Sequence, residues 1–166
     1  MITLSSSDIS KVKTTVKTAG KHLLEVLDHN PIQEKYAGNI TSVVTQADID
    51  TENYLKLELE KEFPYIGFYS EETFRSSANE LEKEYCWVVD PIDGTLNFSR
   101  GNPLFCISIA LYHKDHPVFG AVYFPRLNEY FWASKGKGAY LDNRRLFVRQ
   151  NETKNGLFGS CEIGLG

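Results

Sequence analysis

The chain predicts an α+β fold, with two amphipathic helices first and a mostly antiparallel sheet after them. Three observations lead there. Apolar residues recur at spacings of three and four through the first third of the chain. Beyond Pro64 that period gives way to short apolar runs divided by turn residues. The 166 residues are 42% hydrophobic and 24% charged, the composition of a globular domain with a real core.

The first helix is expected over residues 7–29. Ile9, Val12, Val16, Ala19, Leu23 and Leu27 form its apolar stripe, Ser7 or Asp8 caps it, and Asn30-Pro31 stops it. A polar stretch runs on to Ser42. The second helix is expected over 47–63, with Leu55, Leu59 and Phe63 on one side and Pro64 as terminator. Strands follow at 65–70 and at 85–90, separated by a charged loop, 72–84. A meander then reads as strands 105–112, 118–124, 129–133, 139–141, 146–148 and 157–163. Turn signals divide them at 113–117, 125–128, Gly136-Lys137-Gly138 and Asp142-Asn143. Gly136-Lys137-Gly138 reads as a hairpin turn rather than a nucleotide loop. No repeat, low-complexity segment or linker interrupts the chain.

Composition excludes several function classes. A net charge of −4 and scattered basic residues argue against nucleic acid as partner. The N-terminus lacks the basic start and apolar stretch of a signal peptide, and no segment is apolar enough to span a bilayer. Cys86, Cys106 and Cys161 are few and far apart, so they read as buried hydrophobes in a reducing cytoplasm. His113 and His116 flank a turn and read as surface residues, not ligands.

The chemistry concentrates in Asp90-Pro91-Ile92-Asp93-Gly94-Thr95, which follows the apolar run Tyr85-Cys86-Trp87-Val88-Val89. Two carboxylates at the end of a buried strand are costly without a partner, and Mg²⁺ takes such oxygens together with substrate phosphate. Turn chemistry alone also explains the Asp-Pro and Asp-Gly pairs. Gly94 and Thr95 would open a short helix whose free N–H groups favour a phosphate. Ser70-Glu71-Glu72-Thr73 places further acids at a strand end. In isolation it is a solvated turn. If the two strands are neighbours, Glu71 and Asp90 can bridge to one ion. Asp48, in Val43-Val44-Thr45-Gln46-Ala47-Asp48, is expected at the start of helix two, as an N-cap compatible with a role near the metal.

The run from Trp87 to Phe98, Trp-Val-Val-Asp-Pro-Ile-Asp-Gly-Thr-Leu-Asn-Phe, closely resembles the signature of the inositol monophosphatase family. That group is Mg²⁺-dependent and lithium-sensitive, and includes bisphosphate nucleotidases and relatives of fructose-1,6-bisphosphatase. Ser70-Glu71-Glu72-Thr73 is similar to the family's Gly-Glu-Glu-Ser element, with serine in the glycine position. Val44-Thr45-Gln46-Ala47-Asp48 is similar to its Val-Thr-x-x-Asp element. Gly120-Ala121-Val122-Tyr123 and Gly136-Lys137-Gly138-Ala139 match further stretches.

The resemblance implies the layered αβ sugar-phosphatase fold and a division of roles. Glu71, Asp90 and the Ile92 carbonyl would hold the first Mg²⁺, and Asp90 and Asp93 would contribute to the second, among two or three ions in a complete enzyme. Asp93, Gly94 and Thr95 would receive the substrate phosphate. Thr95 with Glu71 would orient and deprotonate the attacking water, and Asp48 would shape the hydrogen bonds beside them. The implied reaction is hydrolysis of inositol monophosphate or a related sugar phosphate by a homodimer. A 3′(2′),5′-bisphosphate nucleotidase or fructose-1,6-bisphosphatase-like activity is the alternative; Leu96-Asn97-Phe98 leans toward the inositol branch.

One family element is missing. Trp87 precedes Val88 and Trp132 precedes Ala133, so the Trp-Asp-x-Ala motif that completes the second metal site does not occur. Lys35 lies out of step with a lysine common in the family and receives no role. Residues 1–166 therefore read as the N-terminal part of such a fold, without the C-terminal α/β half. Weak Mg²⁺ binding, slow or absent turnover and exposed apolar surface are expected. A catalytically impaired binding or subunit-interaction module is the reading from another class.

Overall fold

A computed structural model describes residues 4–29, 46–70 and 78–148. Helix α1 (Ser6–His29) buries the anticipated stripe, Ile9, Val12, Val16, Ala19, Leu23 and Leu27. Its cap lies earlier than expected. Ser5 Oγ accepts the Asp8 N–H at 3.1 Å, and the Asp8 carboxylate accepts the Ser5 N–H at 2.8 Å. This reciprocal pair satisfies two helix-start donors at once, so Ser5 is the cap and Asp8 its partner three residues on.

Helix α2 (Gln46–Glu62) buries Ala47, Leu55 and Leu59, and with them the polar Asp48, Thr51 and Glu52. Asp48 stands in the first turn, third from the helix start, and not at the cap. Phe63 falls just outside the helix and packs its ring 5.6 Å from that of Trp87.

Among the described residues, seven strands form one sheet in sequence order: β1 (Gly67–Ser70), β2 (Tyr85–Asp93), β3 (Cys106–His113), β4 (His116–Phe124), β5 (Glu129–Ser134), β6 (Gly138–Leu141) and β7 (Arg144–Leu146). Only β1 and β2 run parallel; every other neighbouring pair is antiparallel. The charged loop before β2 contains a short 3₁₀ turn, Ala78–Glu82, whose Glu80 accepts the Phe68 N–H at 3.2 Å. Strand β2 runs three residues past Asp90, with a register shift between Asp90 and Asp93. Strand β7 starts directly after the Asp142-Asn143 turn, two residues before the expected position. The expected strand 157–163 and Cys161 lie outside the described residues.

Alternation along the strands gives the sheet two unlike faces. Phe68, Trp87, Val89, Ile107, Ile109, Leu111, Phe119, Ala121 and Tyr123 are buried and share one core with the α1 and α2 stripes. The fit is close: a Cβ on Gly20 of α1 would stand 2.5 Å from the Tyr123 ring. The opposite face carries Tyr69, Val88, Asp90, Ser108, Ala110, Tyr112 and Val122, all only half-buried. An open groove of about 430 Å³ runs over it, lined by Tyr69, Val88, Asp90, Ser108, Ala110 and Tyr112. No helix of the chain, among the described residues, is long and apolar enough to cross a membrane.

Candidate active site

The end of β2 carries the candidate chemistry. Trp87 and Val89 anchor the strand in the core, and Asp90 emerges half-buried at the groove on the opposite face. The Asp90 carboxylate accepts the Ile92 N–H at 3.1 Å, which closes the chain tightly around buried Pro91. The Thr95 hydroxyl donates to the Ile92 carbonyl at 2.9 Å. These two bonds fix the segment from both ends.

Gly94 makes the next bend. Its φ of +84° is left-handed, and a Cβ there would meet the Leu104 carbonyl oxygen at 3.0 Å. Helix α3 (Thr95–Ser99) begins immediately, its first turn closed by Phe98 N–H donating to Gly94 C=O at 3.0 Å. The Asn97 amide donates to the Leu104 carbonyl at 2.8 Å, and Phe98 meets Phe105 edge-to-face at 5.1 Å. The turn is therefore pinned to the start of β3.

Asp93 is exposed and lies opposite Cys106. The buried Cys106 thiol donates to the Asp93 carboxylate at 3.5 Å. Burial pushes this thiol up to about 12; the negative charge of Asp93, its hydrogen bond and the charge of Asp90 add to the effect. Cys106 therefore stays protonated at neutral pH and keeps its donor. Sequence reasoning treated it as a plain hydrophobe. Only the strand register shows its second role.

The structure brings Asp90, Ile92, Asp93, Gly94 and Thr95 together at one strand end. It also makes β1 the parallel neighbour of β2, with Ser70 opposite Val89. The condition set for Glu71 and Asp90, adjacent strands, is met up to Ser70. Glu71, Glu72 and Thr73 lie outside the described residues. Asp48, 1% exposed, sits on the helix that packs over β1 and β2.

Glu52, missed at sequence level, and Ser70, read there only as the start of the Ser70-Glu71-Glu72-Thr73 element, are both buried, on α2 and β1. Glu52 is 3% exposed and Ser70 fully buried. The signal was present: Glu52 follows Asp48 by four residues and so shares its helix face. An acidic helical residue is ordinarily solvated, and nothing local said otherwise.

The donor set at the β2 end is all oxygen, two carboxylates and a backbone carbonyl, which fits Mg²⁺ in kind. Among the described residues no group of three or more acidic, histidine or cysteine side chains stands ready to hold a metal.

A sequence model of the inositol monophosphatase family matches residues 6–163. The inositol monophosphatase of Dictyostelium discoideum is 34% identical over 149 residues, which is 90% of this chain and 54% of that protein. The inositol-1-monophosphatase of Mesorhizobium japonicum is 41% identical over 105 residues, 63% of this chain and 39% of that protein. The crystal structure of the extragenic suppressor protein suhB from Bartonella henselae superposes with a TM-score of 0.72 at 31% identity, over 88% of this chain and 56% of that one. The chain thus spans about half the length of the relatives it matches.

Proposed function

The chain belongs to the inositol monophosphatase family, and from that premise we propose that its site serves Mg²⁺-dependent hydrolysis of a phosphate monoester, inositol monophosphate or a related sugar phosphate. The observation that carries this reading is the β2 end, where Asp90, the Ile92 carbonyl, Asp93 and Thr95 share one pinned segment.

Asp90, Asp93 and the Ile92 carbonyl, with Glu71, would hold the metal. Bound there, Mg²⁺ neutralises phosphate charge and acidifies water, which a monoester needs because both it and hydroxide are anionic. The chain supplies position. Thr95 spends its proton on the Ile92 carbonyl. Its lone pairs remain to accept from a water and would aim it. Glu71 would take the proton that this water loses. The N–H groups of Gly94 and Thr95 would receive a phosphate oxygen, with Asp93 beside them. Asp48 would order the surrounding hydrogen bonds. Little covalent work falls to the protein, so a rigid segment suits the task.

The 166 residues span about half the length of the relatives they match, and we expect weak Mg²⁺ binding and slow turnover from this span assayed by itself. Phosphate release from inositol monophosphate, fructose bisphosphate and adenosine bisphosphate under Mg²⁺ titration tests the reading, with Asp90→Asn as control. Equal Mg²⁺ binding by the wild type and Asp90→Asn would defeat it. A non-catalytic interaction role is the second reading, favoured by the half-exposed apolar sheet face beside Asp90. We place the protein in the cytoplasm as a homodimer; sedimentation velocity decides the latter.

A further inference from the structure

Two buried oxygens at the seam between α2 and the sheet have no hydrogen-bond partner: Oε2 of Glu52 and Oγ of Ser70. Glu52 is 3% exposed and Ser70 0%. Buried polar atoms are nearly always paired, so an orphaned carboxylate oxygen and an orphaned hydroxyl demand an account.

Their placement supplies one. Glu52 lies on the face of α2 that also buries Ala47, Asp48, Thr51, Leu55 and Leu59. That helix packs on both β1 and β2. In β1, Ser70 has the same parity as Phe68, a member of the core beneath the helices. Ser70 therefore faces the helical layer. A carboxylate can only accept, whereas a hydroxyl can donate. The two orphans are complementary, on elements in contact. Among the described residues the other buried orphans, Trp87 Nε1 and Tyr130 Oη, belong to the aromatic core and carry no charge.

We infer that Glu52 and Ser70 form a positioning pair, linked through one buried water, that fastens the end of β1 to the helix bearing Asp48. Ser70 lies opposite Val89 and one residue before Glu71, just as Val89 lies one residue before Asp90. Holding Ser70 fixes the last described residue of β1 against Val89, the residue before Asp90. The inference rests on the phosphatase reading of that strand end. Glu52 touches no substrate in this account; it acts through the strand it anchors.

The test is Mg²⁺ affinity of the full 166-residue chain by calorimetry, beside its thermal melt, for Ser70→Ala, Glu52→Leu, their combination and Glu52→Gln. Each disruptive single change is expected to weaken Mg²⁺ binding about tenfold, as loss of a supporting partner does at metal sites. The double variant should be no worse than the weaker single, because both break the same water-mediated link. Glu52→Gln keeps an acceptor and should retain most of the affinity. A purely structural role would lower the melting temperature and leave Mg²⁺ affinity alone. Unchanged affinity in Ser70→Ala against a wild type that binds, or losses that multiply in the double variant, overturns the positioning role and leaves the phosphatase reading intact. A wild-type chain that binds no Mg²⁺ sinks that reading, and the positioning role with it. If Glu52→Leu does not fold, Ser70→Ala, which removes one hydroxyl, decides alone.

Discussion

The two faces of the sheet are built from the same strands and do different work. On one face Trp87, Val89, Ile109, Leu111 and Phe119 are sealed under α1 and α2. On the other, one residue along each strand, Val88, Asp90, Ala110 and Tyr112 are half-exposed and line the groove. Stability resides in the sealed face. The open face is free to carry carboxylates, because an acid there need not be taken fully out of water. The contrast teaches that β2 is held by its buried core-facing residues and presents the Asp90 carboxylate at the open groove.

The largest expected effect strikes the sealed face. Ile109→Ala should cost about 3 kcal/mol in denaturant unfolding, within the range for a buried aliphatic side chain. Val122→Ala on the open face should cost clearly less. Equal losses would break the contrast.

Next comes Asp90→Asn, which should reduce Mg²⁺ affinity by at least about a hundredfold, since losing a proposed ligand costs no less than losing a ligand's supporting partner. The unfolding midpoint should move little, since Asp90 is half-buried. A large loss of stability with Mg²⁺ binding preserved would make Asp90 a structural residue.

Gly94→Ala forces a side chain into the left-handed bend against the Leu104 carbonyl. About 1–2 kcal/mol is expected. A neutral melt would show that the turn before α3 is looser than described.

Val122→Lys tests the open face as an association surface. Stability should change by less than about 1 kcal/mol, while dye binding and self-association in sedimentation should both fall. Persistence of both would locate the sticky surface elsewhere.

The smallest effect belongs to the far hairpin. Lys13 and Lys17 reach Asp142 at 2.9 and 3.3 Å. The hydrogen bond from Lys13, outweighing the cost of burial, holds this carboxyl below its usual 3.8. A depressed folded value means the contribution is present above the unfolded value and fades as pH falls through the folded one. Asp142 is 39% exposed, so solvent screening limits it. Asp142→Asn should lower stability at pH 7 by less than about 1 kcal/mol. The difference from wild type should shrink in acid melts as the pH falls through the lowered folded-state value. A gap that widens with acid would reverse the sign argued here.

Much of this was legible before any coordinates. The α1 stripe matched residue for residue, because a 3.6 period at a globular core admits one buried face. The candidate metal segment stood out because paired acids after an apolar strand are chemically unusual. What stayed hidden depended on neighbours distant in sequence. Cys106 gained its hydrogen bond from lying across from Asp93, and Glu52 and Ser70 are buried because α2 packs on the sheet. The Asp48 cap was misplaced because helix starts are specified by hydrogen bonds as much as by residue type.

By itself the sequence determined the order of elements, the covered stripe of α1 and the oxygen donors at Asp90 and Asp93, since these follow from local periodicity and side-chain chemistry. Only the tertiary structure decided that β1 runs parallel to β2, that Cys106 holds Asp93, and that Glu52 is buried. Pairing and burial arise where segments far apart in the chain compete for the same space, and no local pattern records the outcome.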